Sequence, residues 1–166
     1  MSRRVVLDTN VIVAGLRSRR GAAFRVLSLV GTGAFTHCLS VPLLFEYEDV
    51  LKRPGLVPLT LEAVEDVLDG LCATADRRPL YFLWRPQLPD AADDLVLEIA
   101  VTGQCDTIVT FNQRHFVGSE QFGVLVQTPA DFPRPRKSAG HEVDESRWPE
   151  GRGPRLRVQS PGDSLQ

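Results

Sequence analysis

Apolar and polar positions along this chain repeat at two periods, and the change from one to the other outlines an alternation of strands and helices. "VVL" (5–7) is a short β-branched run between Arg4 and Asp8, the pattern of a strand buried on both faces. "AAFRVLSLVGTG" (22–33) puts Ala23, Val26, Leu27 and Val30 on one helical face and stops at glycines, predicting a helix with a glycine cap. "FTHCLS" (35–40) predicts a second short strand. Ser40 can then cap a helix with Pro42 in its first turn, running through "LLFEYEDVLKR" to Pro54. Leu43, Tyr47, Val50 and Leu51 share a face of that helix, with Glu46 beside it.

"TLEAVEDVLDGL" (60–71) carries a stripe of Leu61, Val64, Val67, Leu68 and Leu71 with acids opposite, which reads as a solvated face. "DAADDLVLEIAVTGQ" (90–104) opens with acids where the helix dipole favours them, turns Val96, Leu97, Ala100 and Val101 inward and ends at Gly103. "TIVTFN" (107–112) predicts a strand ending at an amide, and "FGVLVQTPADF" (122–132) a last strand and turn. Such alternation predicts an α/β fold with a parallel sheet covered on both faces. From Pro133 onward the periodicity is lost: five prolines and seven basic residues fall there, so residues 134–166 read as a disordered or loosely docked tail on a domain of 1–133.

Composition narrows this picture only slightly. At 166 residues and 43% hydrophobic the chain has material for one domain with a core. A formal charge of -2 offers no global attraction to nucleic acid, so such a role would need a local patch or bound cations. Cys38, Cys72 and Cys105 are widely spaced and match no zinc pattern; they read as buried thiols in a reducing, cytoplasmic setting. No stretch reads as a signal peptide or membrane span.

In open parallel sheets, ligands bind outside the carboxyl ends of the strands. Asp8 ends the first predicted strand and Asn112 ends "TIVTFN", so both would point into one crevice if those strands are neighbours. Glu46 and Asp93 could meet them there. Converging carboxylates repel one another, and a hard divalent cation such as Mg²⁺ or Mn²⁺ would relieve the conflict. Each residue also has a plainer reading: Asp8 as a helix or turn cap assisted by Thr9 and Asn10, Glu46 as a rim acid paired with Lys52 or Arg53, Asp93 as a dipole-favoured cap, and Asn112 as a turn former. Arg17, Arg19 and Arg20 form the best local basic cluster for phosphate contact, or a solvated loop. His115 offers a proton donor or phosphate contact, or is an ordinary surface histidine.

Three stretches in order, "VVLDTNVIVAGL", "LSVPLLFEYEDVLKRPGL" and "DAADDLVLEIAVTGQCDTIVTFNQRHF", resemble the PIN-domain nucleases, and among them the toxin components of toxin–antitoxin systems. The resemblance runs from about Val5 to Phe132. It implies a three-layer α/β/α sandwich with a central parallel sheet and metal-dependent endoribonuclease activity. The acidic ligands of the family fall on Asp8, Glu46 and Asp93, with Thr9 beside the first, and they would hold Mg²⁺ or Mn²⁺ to activate water for attack on a phosphodiester. The fourth catalytic position, usually an acid, falls on Asn112, and Asp90 and Asp94 are the nearest spare carboxylates, one water removed from an ion. The implied partners are RNA and a small antitoxin covering the crevice; a homodimer is compatible. The alternative is a catalytically weakened PIN fold that binds RNA or protein. A DNA nuclease of the same fold is disfavoured, since the long insertions used to grip duplex junctions are missing.

Overall fold

The computed structural model describes residues 2–77 and 88–132. Five strands, β1 (Arg4–Leu7), β2 (Thr36–Leu39), β3 (Asp76–Arg77), β4 (Thr107–Val109) and β5 (Leu125–Gln127), pair in parallel in the order β3-β2-β1-β4-β5. Helices α1 (Thr9–Arg17), α2 (Ala22–Ser28), α3 (Val41–Leu51), α4 (Leu61–Thr74) and α5 (Ala91–Thr102) complete an α/β sandwich. Val5 lies between His37 and Thr107 in register. Val5, Val6 and Leu7 are wholly buried, which is why β1 reads as a continuous apolar run instead of an alternation. Strand order reverses between β1 and β4, and the crevice above such a switch point is where ligands bind in open α/β sheets.

Several elements depart from the sequence expectation. "TNVIVAGLR" forms α1 directly after β1, so Arg17 is helical and not in a loop. Three consecutive β-branched residues, Val11 to Val13, hide this helix from propensity; burial of Val11, Ile12 and Gly15 against its surroundings stabilises it. Gly15 is required by close packing, because a β-carbon there would lie 2.4 Å from Leu27 Cδ1 and 3.2 Å from the Ala23 backbone. Helix α2 stops at Ser28, α4 continues to Thr74, and β4 ends at Val109, ahead of Asn112. Leu61, expected on the inner stripe of α4, is exposed. Two single 3-10 turns, Gln113–Phe116 and Ser119–Phe122, fill the β4–β5 connection. The two-residue β3 is too short to leave a periodic signal. The expected tail, 134–166, lies outside the described residues. No helix among the described residues is long and apolar enough to cross a membrane.

Two ties hold the sheet's entrance edge. Arg4 pairs with Asp76 at 2.6 Å and donates Nε–H to the Gly103 carbonyl at 2.8 Å, joining β1 to β3 and to the end of α5. Phe132 packs edge-on against Phe35 with ring centroids 5.4 Å apart, and the Arg3 guanidinium lies over its ring. Phe35 and Arg3 immediately precede β2 and β1, so Phe132 is fixed at the end of the sheet away from the strands' carboxyl termini.

His37 on β2 is 1% exposed, and among the described residues neither ring nitrogen has a hydrogen-bond partner. Burial pushes its pKa down to about 4 from 6.5. The unfolded chain therefore takes up the proton first, and stability is lost as pH falls from 6.5 through about 4. This costs about 2 kcal/mol between pH 7 and pH 5. Comparing urea midpoints at the two pH values should show that His37→Leu lacks this component; an unchanged acid sensitivity would refute the assignment.

Candidate active site

Asp8 is the last residue held by the β1–β4 ladder, its N–H donating to the Val109 carbonyl at 3.0 Å, and it is also the N-cap of α1. Only 7% of it is exposed. Its carboxylate makes no side-chain capping bond to the helix. Instead Oδ2 accepts from Asn10 Nδ2 at 2.8 Å and from the Thr110 hydroxyl at 2.6 Å. Thr110 Oγ1 also accepts from Asn10 Nδ2 at 3.2 Å and from the Asn112 N–H at 2.9 Å, while Asn10 Oδ1 accepts the Phe111 N–H at 3.3 Å. This network ties the β1–α1 corner to the chain leaving β4, across the switch point.

Helix α3 delivers Glu46. The Thr9 hydroxyl donates to Glu46 Oε1, and Glu46 Oε2 is buried without a hydrogen-bond partner among the described residues. Glu46 is not the rim acid of the plainer reading, since Lys52 pairs with Glu48 and Glu65 and Arg53 pairs with Asp49. The adjacent Tyr47 is wholly buried and donates its hydroxyl to the Leu7 carbonyl, so α3 is joined to the chain on both sides of Asp8. Helix α5 delivers Asp93, whose Oδ2 lies 3.1 Å from His115 Nδ1.

Burial raises the pKa of all three carboxyls. Hydrogen bonds, that of Thr110 first, offset part of this at Asp8. At Glu46 the Thr9 hydroxyl opposes it, while Asp8, Asp90 and Asp93 add repulsion. At Asp93 repulsion from Asp8 and Asp90 acts against the attraction of His115. The acids from β1, α3 and α5 are therefore within electrostatic reach of one another.

The remaining candidates are more peripheral. Asp90 is exposed and caps α5 by accepting the Ala92 N–H at 2.8 Å, and Asp94 accepts the Leu88 N–H at 2.9 Å. Asn112 is exposed, three residues beyond β4. Arg17, Arg19 and Arg20 are exposed at the far end of α1, about 12 Å along the helix axis from Thr9 at 1.5 Å per residue.

Among the described residues no three His, Cys, Asp or Glu side chains are arranged to hold a metal ion. The donor chemistry nevertheless fits a hard cation: the acids offer oxygen only, and the orphaned Glu46 Oε2 is an atom that such an ion would satisfy.

The family model of the PIN domain matches residues 4–114. The chain belongs to the PIN domain family. No curated protein matches it. PIN domains are typically metal-dependent nucleases, so nuclease chemistry is the activity class of this fold. The matched span begins at β1 and ends in the first 3-10 turn of this PIN domain, and it contains Asp8, Glu46, Asp93 and Asn112. Sequence reasoning overlooked Thr110 and the role of Tyr47. A threonine closing the β-branched run "TIVT" beside an acid-bearing strand was the available signal for the first; the Tyr47 hydroxyl left none, because its helical position reads as core.

Proposed function

We propose that this PIN domain is a divalent-cation-dependent endoribonuclease, acting as the toxin of a toxin–antitoxin pair. The observation that carries the catalytic part is the gathering of Asp8, Glu46 and Asp93 at the switch point, each raised by burial, with Glu46 Oε2 lacking a partner. Burying carboxylates in this way is costly unless a ligand compensates them. Asp8, Glu46 and Asp93 would hold Mg²⁺ or Mn²⁺, which when bound supplies activation of water and neutralisation of charge on the phosphate. The chain's own groups fix the acids: Asn10 and Thr110 orient Asp8, Thr9 orients Glu46, and His115 orients Asp93. Asp90 and Asp94 would contribute field rather than direct ligation, Asn112 a neutral hydrogen bond, and Arg17, Arg19 and Arg20 contacts to more distant phosphates. A small antitoxin covering the crevice in the cytoplasm would hold the enzyme inactive.

The test is cleavage of labelled RNA with Mg²⁺ or Mn²⁺, with and without chelator. Cleavage should require the cation. Ion at a hundredfold excess over its Kd should stabilise the fold by about 2.7 kcal/mol, raising the thermal midpoint by roughly 5–10 °C. A second reading, a catalytically weakened fold that binds RNA or protein, draws on Asn112 standing where the family has an acid and on the absence of a ready metal cage among the described residues. RNA binding without cleavage or cation-induced stabilisation would select it. Growth arrest on expression, relieved by a small protein encoded beside the gene, tests the toxin role; unimpaired growth would reject that role alone.

A further inference from the structure

Phe111 is 49% exposed in the loop leaving β4, yet its backbone is firmly held. Thr110 before it is wholly buried and donates its N–H to the Gln127 carbonyl at 2.9 Å. The Phe111 N–H donates to Asn10 Oδ1 at 3.3 Å, and the Asn112 N–H after it to Thr110 Oγ1 at 2.9 Å. Asn10 and Thr110 are the same two residues that hold the Asp8 carboxylate, so the ring and the candidate catalytic acid share one frame. Beyond it, Arg114 is exposed in the 3-10 turn whose His115 meets Asp93. Among the described residues the other largely exposed aromatic, Phe45, instead lies among Glu48, Asp49 and the already paired Lys52 and Arg53, away from this frame.

An apolar ring mounted beside a crevice for phosphate chemistry, with a cation one turn on, suits a nucleotide strand: the ring takes the face of a base and the cation a phosphate. We propose that Phe111 is the stacking platform for an unpaired base of the strand to be cut, with Arg114 on a phosphate of that strand. The base must be an unpaired one, because a base inside a duplex has both faces already covered by its neighbours. This inference rests on the ribonuclease reading.

The test is Mn²⁺-supported cleavage of a short fluorescein-labelled single-stranded oligoribonucleotide by wild type, Phe111→Ala, Phe111→Leu and Phe111→Tyr, with thermal midpoints confirming that each is folded. Losing one stacked base should raise KM about tenfold for the Ala and Leu variants, leave kcat within about twofold, and be rescued by Tyr. An abasic residue at the stacked position should cost wild type the same factor and cost Phe111→Ala nothing further. An unchanged KM in Phe111→Ala, full activity in Phe111→Leu, additive losses, or duplex cut as readily as single strand would overturn the inference while wild type still cuts RNA. A wild type that cuts no RNA under any cation would remove the nuclease reading and this inference with it.

Discussion

Asp8→Asn should abolish cation-dependent RNA cleavage, lowering kcat/KM by about 100-fold or more, the scale of losing one preorganised electrostatic group, while leaving the fold at least as stable. The two halves of this expectation come from the same geometry. Asn10 and Thr110 both donate to Oδ2 of Asp8, and an asparagine oxygen can accept those bonds at the same place. The variant loses the negative charge, which burial disfavours and which repels Glu46 and Asp93, together with the second acceptor oxygen that the Thr9 and Asn10 backbone N–H groups favour. A purely structural acid would behave in the opposite way, with a lower thermal midpoint and no selective effect on turnover. Cleavage kinetics measured alongside thermal melts separate the two outcomes, and wild-type activity in the variant would withdraw Asp8 from the mechanism.

Tyr47→Ala should be the most destabilising of the substitutions considered, at about 3–5 kcal/mol, because it empties a fully buried aromatic position. Tyr47→Phe keeps the ring and loses only the hydroxyl bond to the Leu7 carbonyl, for about 1–2 kcal/mol. That bond clamps α3 to the end of β1, one residue from Glu46 on the helix and one from Asp8 on the strand. Tyr47→Phe should therefore lower catalysis more than its stability loss explains, since the molecules that remain folded hold Glu46 less firmly. Urea midpoints together with kcat of the folded fraction would show this; a stability loss with unchanged kcat would restrict Tyr47 to packing.

The parallel sheet, most helix positions, and the places of Asp8 after β1, Glu46 within α3 and Asp93 in the first turn of α5 were legible because periodicity and polarity agree there. Ser40 caps α3 as its place before Pro42 predicts, accepting the Leu43 N–H, and Gly103 ends α5. Helix α1 was not legible, because Val11, Ile12 and Val13 favour extended chain and only packing around Gly15 decides otherwise. Glu98 and His37 were not expected inside, since neither residue type signals burial. Within the site, Thr110 escaped notice because a hydroxyl that orients a carboxylate depends on two segments a hundred residues apart coming together. Arg17, Arg19 and Arg20, adjacent to the first motif along the chain, are carried away from it by α1.

The anchoring of Phe132 between Phe35 and Arg3 has a practical corollary for anyone building on this domain. A reporter, affinity handle or second domain joined after that residue sets out from the rear of the molecule, with the whole sheet between the junction and Asp8. Grafts at that end leave the mouth of the crevice open, whereas insertions in the loop around Phe111 would obstruct it.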